Sequence, residues 1–446
     1  MRASQIASRS NPQHETSSQS GYRKFEFVFA LIALLLFSQA LLGRLFTTPE
    51  NPEGGAFLRF MWLPIYALTF FALARHWRNL LAVVRRSPLL IGISVLTILS
   101  ALWSLDPGTS LRRGVAVFAT TAFGVYLASA FSWKELLRLF GLTWIILGVG
   151  SFLTGALIPG FGVMHEIHPG AWRGLWFEKN QMGGYFARSA ILFAFLFLMD
   201  KDWRKVWIGG FLLSLALVLL STSKTSLLGL TLGLLILGGW LWMRTNRFLA
   251  IASLWLIFTV MLLGIVVLLV MPETVAALIG RDLTLTGRTD IWEVLLRVLD
   301  ERPLFGFGYG TFWAENSPPA MQVRAETEWE VPTAHNGLLE VMLAVGRVGA
   351  MMFVLDYIIN LCRALFSVHH RPTAVYGFAY LTVFVLFSIS ESVMLNQNDI
   401  TWVTYCTIAA KLALDSGALK QKPAASVPKD MISPPGRKRL QLRGRH

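Results

Sequence analysis

Charge is scarce in this chain, and cysteine scarcer still. Only 15% of the 446 residues are charged, against 54% that are hydrophobic, and the mean hydropathy is +0.55. A soluble domain carries about 25% charged residues, so a soluble globular fold is excluded. Cys362 and Cys406 are the two cysteines. Both fall in apolar runs, and no Cys-x-x-Cys exists, so neither a disulfide framework nor a cysteine zinc site is expected. Acidic residues are the rarer sign, 26 against 40 Lys and Arg, leaving a net charge of +14. In a soluble protein that excess would suggest nucleic acid. Here the positive-inside bias of membrane proteins accounts for it, and no nucleic-acid partner is expected. Internal repeats are also absent, which argues against a transporter built from paired halves.

What the chain has instead is a succession of apolar runs. A helix needs about 20 apolar residues to cross a bilayer. Runs near 25–43, 56–74, 88–103, 114–131, 136–158, 184–199, 206–221, 226–243, 248–270, 335–361, 374–391 and 398–414 predict an all-α polytopic membrane protein of about twelve transmembrane helices. The first run is too long for a signal-peptide core and is expected to be retained. With the N-terminus cytoplasmic, 26 of the 40 basic residues fall on cytoplasmic segments. That bias orients both termini inside and residues 271–334 outside. The organisation reads as a disordered N-terminus (1–24), helices one to nine (25–270), a long outer loop (271–334), helices ten to twelve (335–415) and a disordered basic tail (416–446). The tail reads first as a disordered end that fixes topology, with contact to anionic membrane lipid as the alternative.

Within the long loop, Asp290, Glu293, Arg297 and Asp300 recur at helical spacing, with Ile291, Leu295 and Val298 opposite. This pattern predicts an amphipathic helix over 290–301 that ends before Pro303 and lies on the membrane interface. Gly306, Gly308 and Gly310 then suggest a flexible turn.

The polar residues of interest gather on four outer segments: Trp103 to Arg113, Phe161 to Tyr185, Ser221 to Ser226, and the long loop 271–334 leading into His335. Arg288 stands at the start of the loop helix, where a guanidinium beside free N–H groups makes an anion site. The plain alternative is a solvated arginine or one paired with the loop's many carboxylates. Arg173 lies in a Gly/Trp-rich loop with Lys179 and Asn180 close behind, a cluster that suits phosphate-type ligands. Trp172 and Trp176 of the same loop suit interfacial anchoring. Arg112 and Arg113 open the fourth run against the positive-inside bias; one can snorkel and the other is a candidate anion contact. His335 directly follows the long loop at the mouth of a helix, with Thr333, Asn336 and Glu340 as polar neighbours. An ordinary interfacial histidine is the bland reading. Glu340, one turn into apolar sequence, is costly there and points to function, and a histidine near neutrality can accept a hydroxyl proton. Three further patterns are set aside. Gly306-x-Gly-x-Gly follows a helix rather than a strand. His165 and His168 lack a recognised zinc spacing. Asp200-Lys201-Asp202 sits in a short cytoplasmic turn. No metal or cofactor is expected.

Several segments, in order, resemble the O-antigen ligase-related family, which includes O-antigen ligases and exopolysaccharide or O-antigen polymerases. They are Trp103-Ser104-Leu105-Asp106-Pro107 with Ser110 and Arg112; Gly174 to Asn180; Ser221 to Ser226; Gly287 to Trp292; Pro303 to Gly308; and His335 to Glu340 with Gly346. The wording is closest to the exopolysaccharide-polymerase branch. Members often have a histidine where this chain has Glu178, so no role is carried to that position. The resemblance implies a metal-independent, inverting glycosyltransferase of the bacterial inner membrane, acting on the periplasmic face. Its donor would be an undecaprenyl-diphosphate-linked glycan and its acceptor a glycan or lipid, with polysaccharide-export machinery as a possible partner. On this reading His335, Arg288 and Arg173 are catalytic. Arg112, Arg113, Lys179, Asn180, Asn336 and Glu340 contact substrate. A ligase acting on lipid A-core is the alternative polymer chemistry, and a polysaccharide-lipid flippase the alternative class.

Overall fold

The computed structural model describes residues 12–46, 55–166, 168–245, 288–368 and 370–420. They form α1 (Pro12–Phe37), α2 (Leu42–Phe46), α3 (Gly55–Arg75), α4 (Trp77–Arg86), α5 (Pro88–Leu99), α6 (Pro107–Ala130), α7 (Trp133–Leu157), α8 (Pro159–Gly162), α9 (Lys179–Met199), α10 (Arg204–Leu220), α11 (Lys224–Thr245), α12 (Arg288–Leu299), α13 (Pro318–Thr327), α14 (Gly337–Ser367), α15 (Pro372–Ser390) and α16 (Ile400–Lys420). The one β-type pairing among them is an isolated bridge between Val163 and Trp172. The protein is all-α, as the apolar runs require.

Among the described residues, α6, α7, α9, α10, α11, α14 and α15 are long and apolar enough to cross a membrane. An eighth span is obtained if α4 and the stretch from Pro88 to Leu102, bent 91° to each other, are taken as one broken crossing. This is fewer than the twelve runs in the sequence. The run 248–270 lies outside the described residues, as do the outer-loop stretch 271–287 and the basic tail from 421. In α3 the apolar part is only Phe60–Arg75. The first helix begins at Pro12, so residues 12–24 are helical rather than disordered. Proline suits that first position because its missing N–H would be unpaired there anyway.

Large apolar side chains cover the outside of the bundle. On α14 alone Met351, Val354, Leu355, Ile358 and Ile359 are exposed, and on α11 Leu227, Leu228, Leu235 and Trp242. Patches of this kind are untenable in water and are the normal lipid-facing surface of a membrane protein. The bundle centre is built on α6 and α9, with α6 packed on α5 and α16, and α9 on α10 and α11.

The two ends of the bundle differ. One carries ion pairs that tie helix connections together: Arg23 with Glu135 (2.7 Å), Arg138 with Asp200 and Asp202 (2.6 and 2.9 Å), and Arg371 with Asp415 (2.8 Å). Asp200-Lys201-Asp202 is thus an ion-paired connection. The other end carries the four polar segments singled out from the sequence, joined by backbone hydrogen bonds from Leu105 to Phe307 and from Trp172 to Leu220.

A small folded cap sits on that second end. Ile291, Val294, Leu295 and Val298 of α12 are buried with Phe307, Phe312, Ala320, Val323, Val331, Leu339 and Leu343 in a core of their own. The amphipathic helix therefore lies where the periodicity placed it, but its apolar face is covered by protein, not by lipid. Arg297 pairs with Glu326 (2.8 Å), and Asp300, just past the end of α12, with Arg347 of α14 (2.6 Å).

The cap is keyed into α14. At Val345 and Gly346 the helix breaks, with Gly346 at φ 71°. A break inside a membrane helix frees backbone groups that must find partners. The segment after α12 supplies them. Phe307 and Gly308 donate N–H groups to the carbonyls of Leu343 and Ala344, while Arg347 and Val348 donate to Pro303 and Leu304. The turn at Gly306, Gly308 and Gly310 has φ values of 66°, 97° and 72°. A Cβ at Gly308 would meet Ser104 and one at Gly310 would meet Arg113. The expected flexible turn is instead a fixed wedge, wound left-handed because only glycine tolerates that path so close to its neighbours.

Candidate functional site

The site begins where the cap returns to the bundle. Asn336 caps α14, its side-chain oxygen accepting the N–H groups of Leu338 (3.0 Å) and Leu339 (3.1 Å). This satisfies donors that the helix start leaves free. Glu340 reaches back from the first turn. Its carboxylate accepts the N–H of Ala334 (2.6 Å), the indole N–H of Trp313 (3.1 Å) and the hydroxyl of Ser392 (3.3 Å). The carbonyl of Ala334 in turn accepts from the indole of Trp292 at 2.9 Å. Asn336 and Glu340, expected as substrate contacts, use these acceptors on the protein itself and fix the turn that carries His335.

His335 has left-handed backbone, φ 49°, a conformation of small but real cost for a residue with a side chain. Its ring stacks on Trp329, with centroids 5.9 Å apart and planes 6° apart. No side chain among the described residues hydrogen-bonds the imidazole. Burial, and then the charge of Arg288 nearby, hold its pKa below the usual histidine value. Both disfavour the cation, so the ring is a neutral base at pH 7.

Arg288 opens α12 and donates to the carbonyl of Ser390 at 2.9 Å. That bond anchors the cap to the end of α15, where Glu391 follows. Burial pushes the Glu391 carboxyl up to about 6; the Arg288 charge opposes the rise, Glu178 adds to it and Arg188 opposes it. These four charged groups therefore share one electrostatic neighbourhood, contributed by α12, the loop before α9, α9 itself and the loop after α15. Arg188 is 8% exposed. It donates to the Gly184 carbonyl (3.1 Å), lies over the rings of Tyr185 and Phe387, and its Nη1 has no partner among the described residues.

The other candidates occupy the same end in different settings. Lys179 donates to Thr222 at 3.3 Å, which joins the start of α9 to the Ser221–Ser226 turn. Asn180 follows on the first turn of α9, partly exposed. Arg113 donates to the Gly310 carbonyl and so supports the glycine wedge, while Arg112 is exposed and reaches Thr109 at 3.5 Å. Arg173 is held by Phe161, whose carbonyl accepts from its Nε at 3.1 Å. The Arg288 charge reaches the His335 ring, while Arg173 is held at the Phe161 carbonyl.

The residues that sequence reasoning missed are Glu391, Arg188 and the loop behind them. Residues 391–399 turn inward: Asn398 accepts from Tyr66 (2.6 Å) and Asp399 from Tyr185 (3.0 Å), and Tyr309 donates to the Leu395 carbonyl (2.7 Å). The available signal was an ionisable residue inside, and another directly after, an apolar run. Arg188 and Glu391 both met that description.

Fold and site together define a multi-pass helical membrane protein that gathers a histidine, guanidinium groups and carboxylates at one end of its bundle. Residues 209–354, from α10 into the second half of α14, match the family described as O-Antigen ligase. The chain is also 24% identical over 311 residues to the exopolysaccharide production protein ExoQ of Rhizobium meliloti (strain 1021), covering 66% of this chain and 67% of that protein. The chain is thus a membrane protein similar to the O-antigen ligase family over that stretch and to an exopolysaccharide production protein over two thirds of its length.

Proposed function

We propose that this protein is a glycosyltransferase that polymerises lipid-linked repeat units of an exopolysaccharide or O-antigen on the periplasmic face of the inner membrane. The donor is a glycan on undecaprenyl diphosphate. The acceptor hydroxyl of a second glycan attacks the anomeric carbon and forms the new glycosidic bond. The bond from that carbon to the diphosphate oxygen breaks, the lipid diphosphate leaves and the configuration inverts. His335 accepts the hydroxyl proton, and Arg288 stabilises the charge developing on the leaving diphosphate. The observation that carries this reading is the pairing of a neutral, half-buried imidazole with Arg288 at the mouth of α14. Charge held ready at a site of low polarity stabilises a transition state without reorganising.

A second reading is favoured by the family description, which is that of a ligase. A ligase would use the same donor chemistry and hand the glycan to lipid A-core or another acceptor. Purified protein supplied only with lipid-linked repeat units separates the two. The polymerase forms longer lipid-linked glycans and releases undecaprenyl diphosphate. Products that appear only when a different acceptor is added support the ligase, and no release with any acceptor rejects both.

A further inference from the structure

The ion-paired end of the bundle carries a short helix that the transfer chemistry leaves unused. α4 is ten residues long and meets the stretch from Pro88 to Leu102 at 91°. One side of it is tied down across the ends of its neighbours. Val83 is buried, Asn79 donates to the Ser129 carbonyl near the end of α6 (2.9 Å), Arg86 donates to the Leu414 carbonyl of α16 (3.2 Å), and the Arg86 carbonyl accepts from Arg363 of α14. The other side is open. Trp77, Leu81 and Val84, at positions i, i+4 and i+7, form one apolar stripe, 54, 41 and 38% accessible. Arg78 and Arg85, seven residues apart, run beside the stripe, both exposed. The corner before α4 adds Arg75, the last residue of α3, also exposed, whose guanidinium lies over the Tyr22 ring, 4.2 Å from its centroid. A hollow of about 400 Å³ opens there, lined by Arg75, His76, Trp77, Arg78 and Asn79. Glu26 reaches the corner but is engaged by Arg23 (3.3 Å) and His76 (2.9 Å). No carboxylate among the described residues pairs with Arg75, Arg78 or Arg85.

We propose that the open side of α4 and the Arg75–Arg78 corner form a docking site for an anionic phospholipid in the bilayer leaflet at this end of the bundle. A helix with an apolar and a basic side lies in the plane of a membrane, its apolar side sunk to the boundary between headgroups and acyl chains. Trp77, Leu81 and Val84 are that side, and tryptophan favours this depth. Arg75, Arg78 and Arg85 then stand at headgroup level, where the long arginine stems let the charge reach phosphate oxygens. The lipid phosphate supplies the counter-charge that the described residues lack. A soluble anion would satisfy the arginines but leave the apolar stripe in water. A neutral lipid would cover the stripe but leave the three like charges without an opposite one. An anionic phospholipid answers both halves of the surface at once.

The test places a reporter on the stripe. Leu81→Cys in the full chain, with the exposed Cys362 removed as Cys362→Ser and the buried Cys406 kept, carries a fluorophore in nanodiscs of phosphatidylcholine. Nitroxide-labelled phosphatidylglycerol or phosphatidylcholine, at equal mole fraction, is the quencher. Both should quench, because the stripe meets acyl chains, and phosphatidylglycerol should do so at a severalfold lower mole fraction. Arg75→Gln, Arg78→Gln and Arg85→Gln should each reduce that preference by up to about fivefold, one charge's worth at a membrane surface, and the triple variant should show none. Arg75→Lys with Arg78→Lys should keep most of it, because a headgroup phosphate accepts a point charge. Thermal midpoints in phosphatidylcholine check that the variants are folded, and the lysine pair reads the site if a glutamine variant is not. No quenching by either lipid would mean that water or another protein segment covers the stripe. Equal quenching by the two would mean that the apolar side is sunk but no anion is recognised. Either result, or a preference that survives in the triple variant, overturns the proposal.

Discussion

The protonation of His335 is set by what surrounds it. Burial and the Arg288 charge both keep the ring neutral, so below its lowered pKa the base is lost and transfer should fall. Arg288→Gln removes one of the two causes. The His335 pKa then rises, and the acid limb of the pH–rate profile should move to higher pH, on top of the loss of leaving-group stabilisation. An acid limb at an unchanged pH would remove Arg288 from the imidazole's environment. His335→Ala should lower turnover by roughly 10²–10⁴, the usual span for lost general-base catalysis, while donor binding persists. Lost binding in that variant would make His335 a positioning residue. Both side chains were singled out in the sequence, His335 by the change from polar loop to apolar run and Arg288 by its place at the start of the amphipathic helix. Glu391 carried only the general signal of an ionisable residue at the end of an apolar run; the groups that act on it, Arg288, Glu178 and Arg188, reach it from other elements.

The break in α14 is the element on which the site depends. It receives the 303–308 segment as a backbone wedge, and it orients the short first half of the helix, with Asn336 and Glu340, beneath the cap. Gly346 has φ 71°, and a Cβ there would meet the Leu304 carbonyl. Gly346→Val should therefore cost several kcal/mol, the scale of a strained backbone plus a buried clash. A thermal midpoint equal to wild type would show that the wedge adapts. Asn336→Ala should cost about 1 kcal/mol as a lost helix cap, and Asn336→Asp should retain most of the stability; equal losses in the two would argue against capping. The amphipathic helix was readable from its 3.6-residue period, down to which side is buried. What covers that side was not, because α13 and the first turns of α14 lie well along the chain and periodicity carries no information about partners. The glycine run was misjudged similarly: Ser104 and Arg113, which make it rigid, are about 200 positions earlier.

At the scale of the whole molecule, the apolar runs announce a helical bundle, and composition alone excludes a soluble fold. The number of crossings was less legible, since a run such as 56–74 forms a helix without being apolar throughout. The polar segments meet at one end and the ion-paired connections at the other. If the basic bias sets the orientation, reporters fused near 205 and at the C-terminus should report cytoplasm, and one near 320 periplasm. A cytoplasmic signal at 320 would put the site on the wrong side for a periplasmic donor. The most direct test of polymerisation is the length of the carrier-linked glycan in a strain lacking this protein. The expected result is single repeat units left on the lipid carrier and no polymer, with wild-type protein restoring chain length and His335→Ala failing to do so. Full-length polymer accumulating unattached in the deletion strain would contradict it.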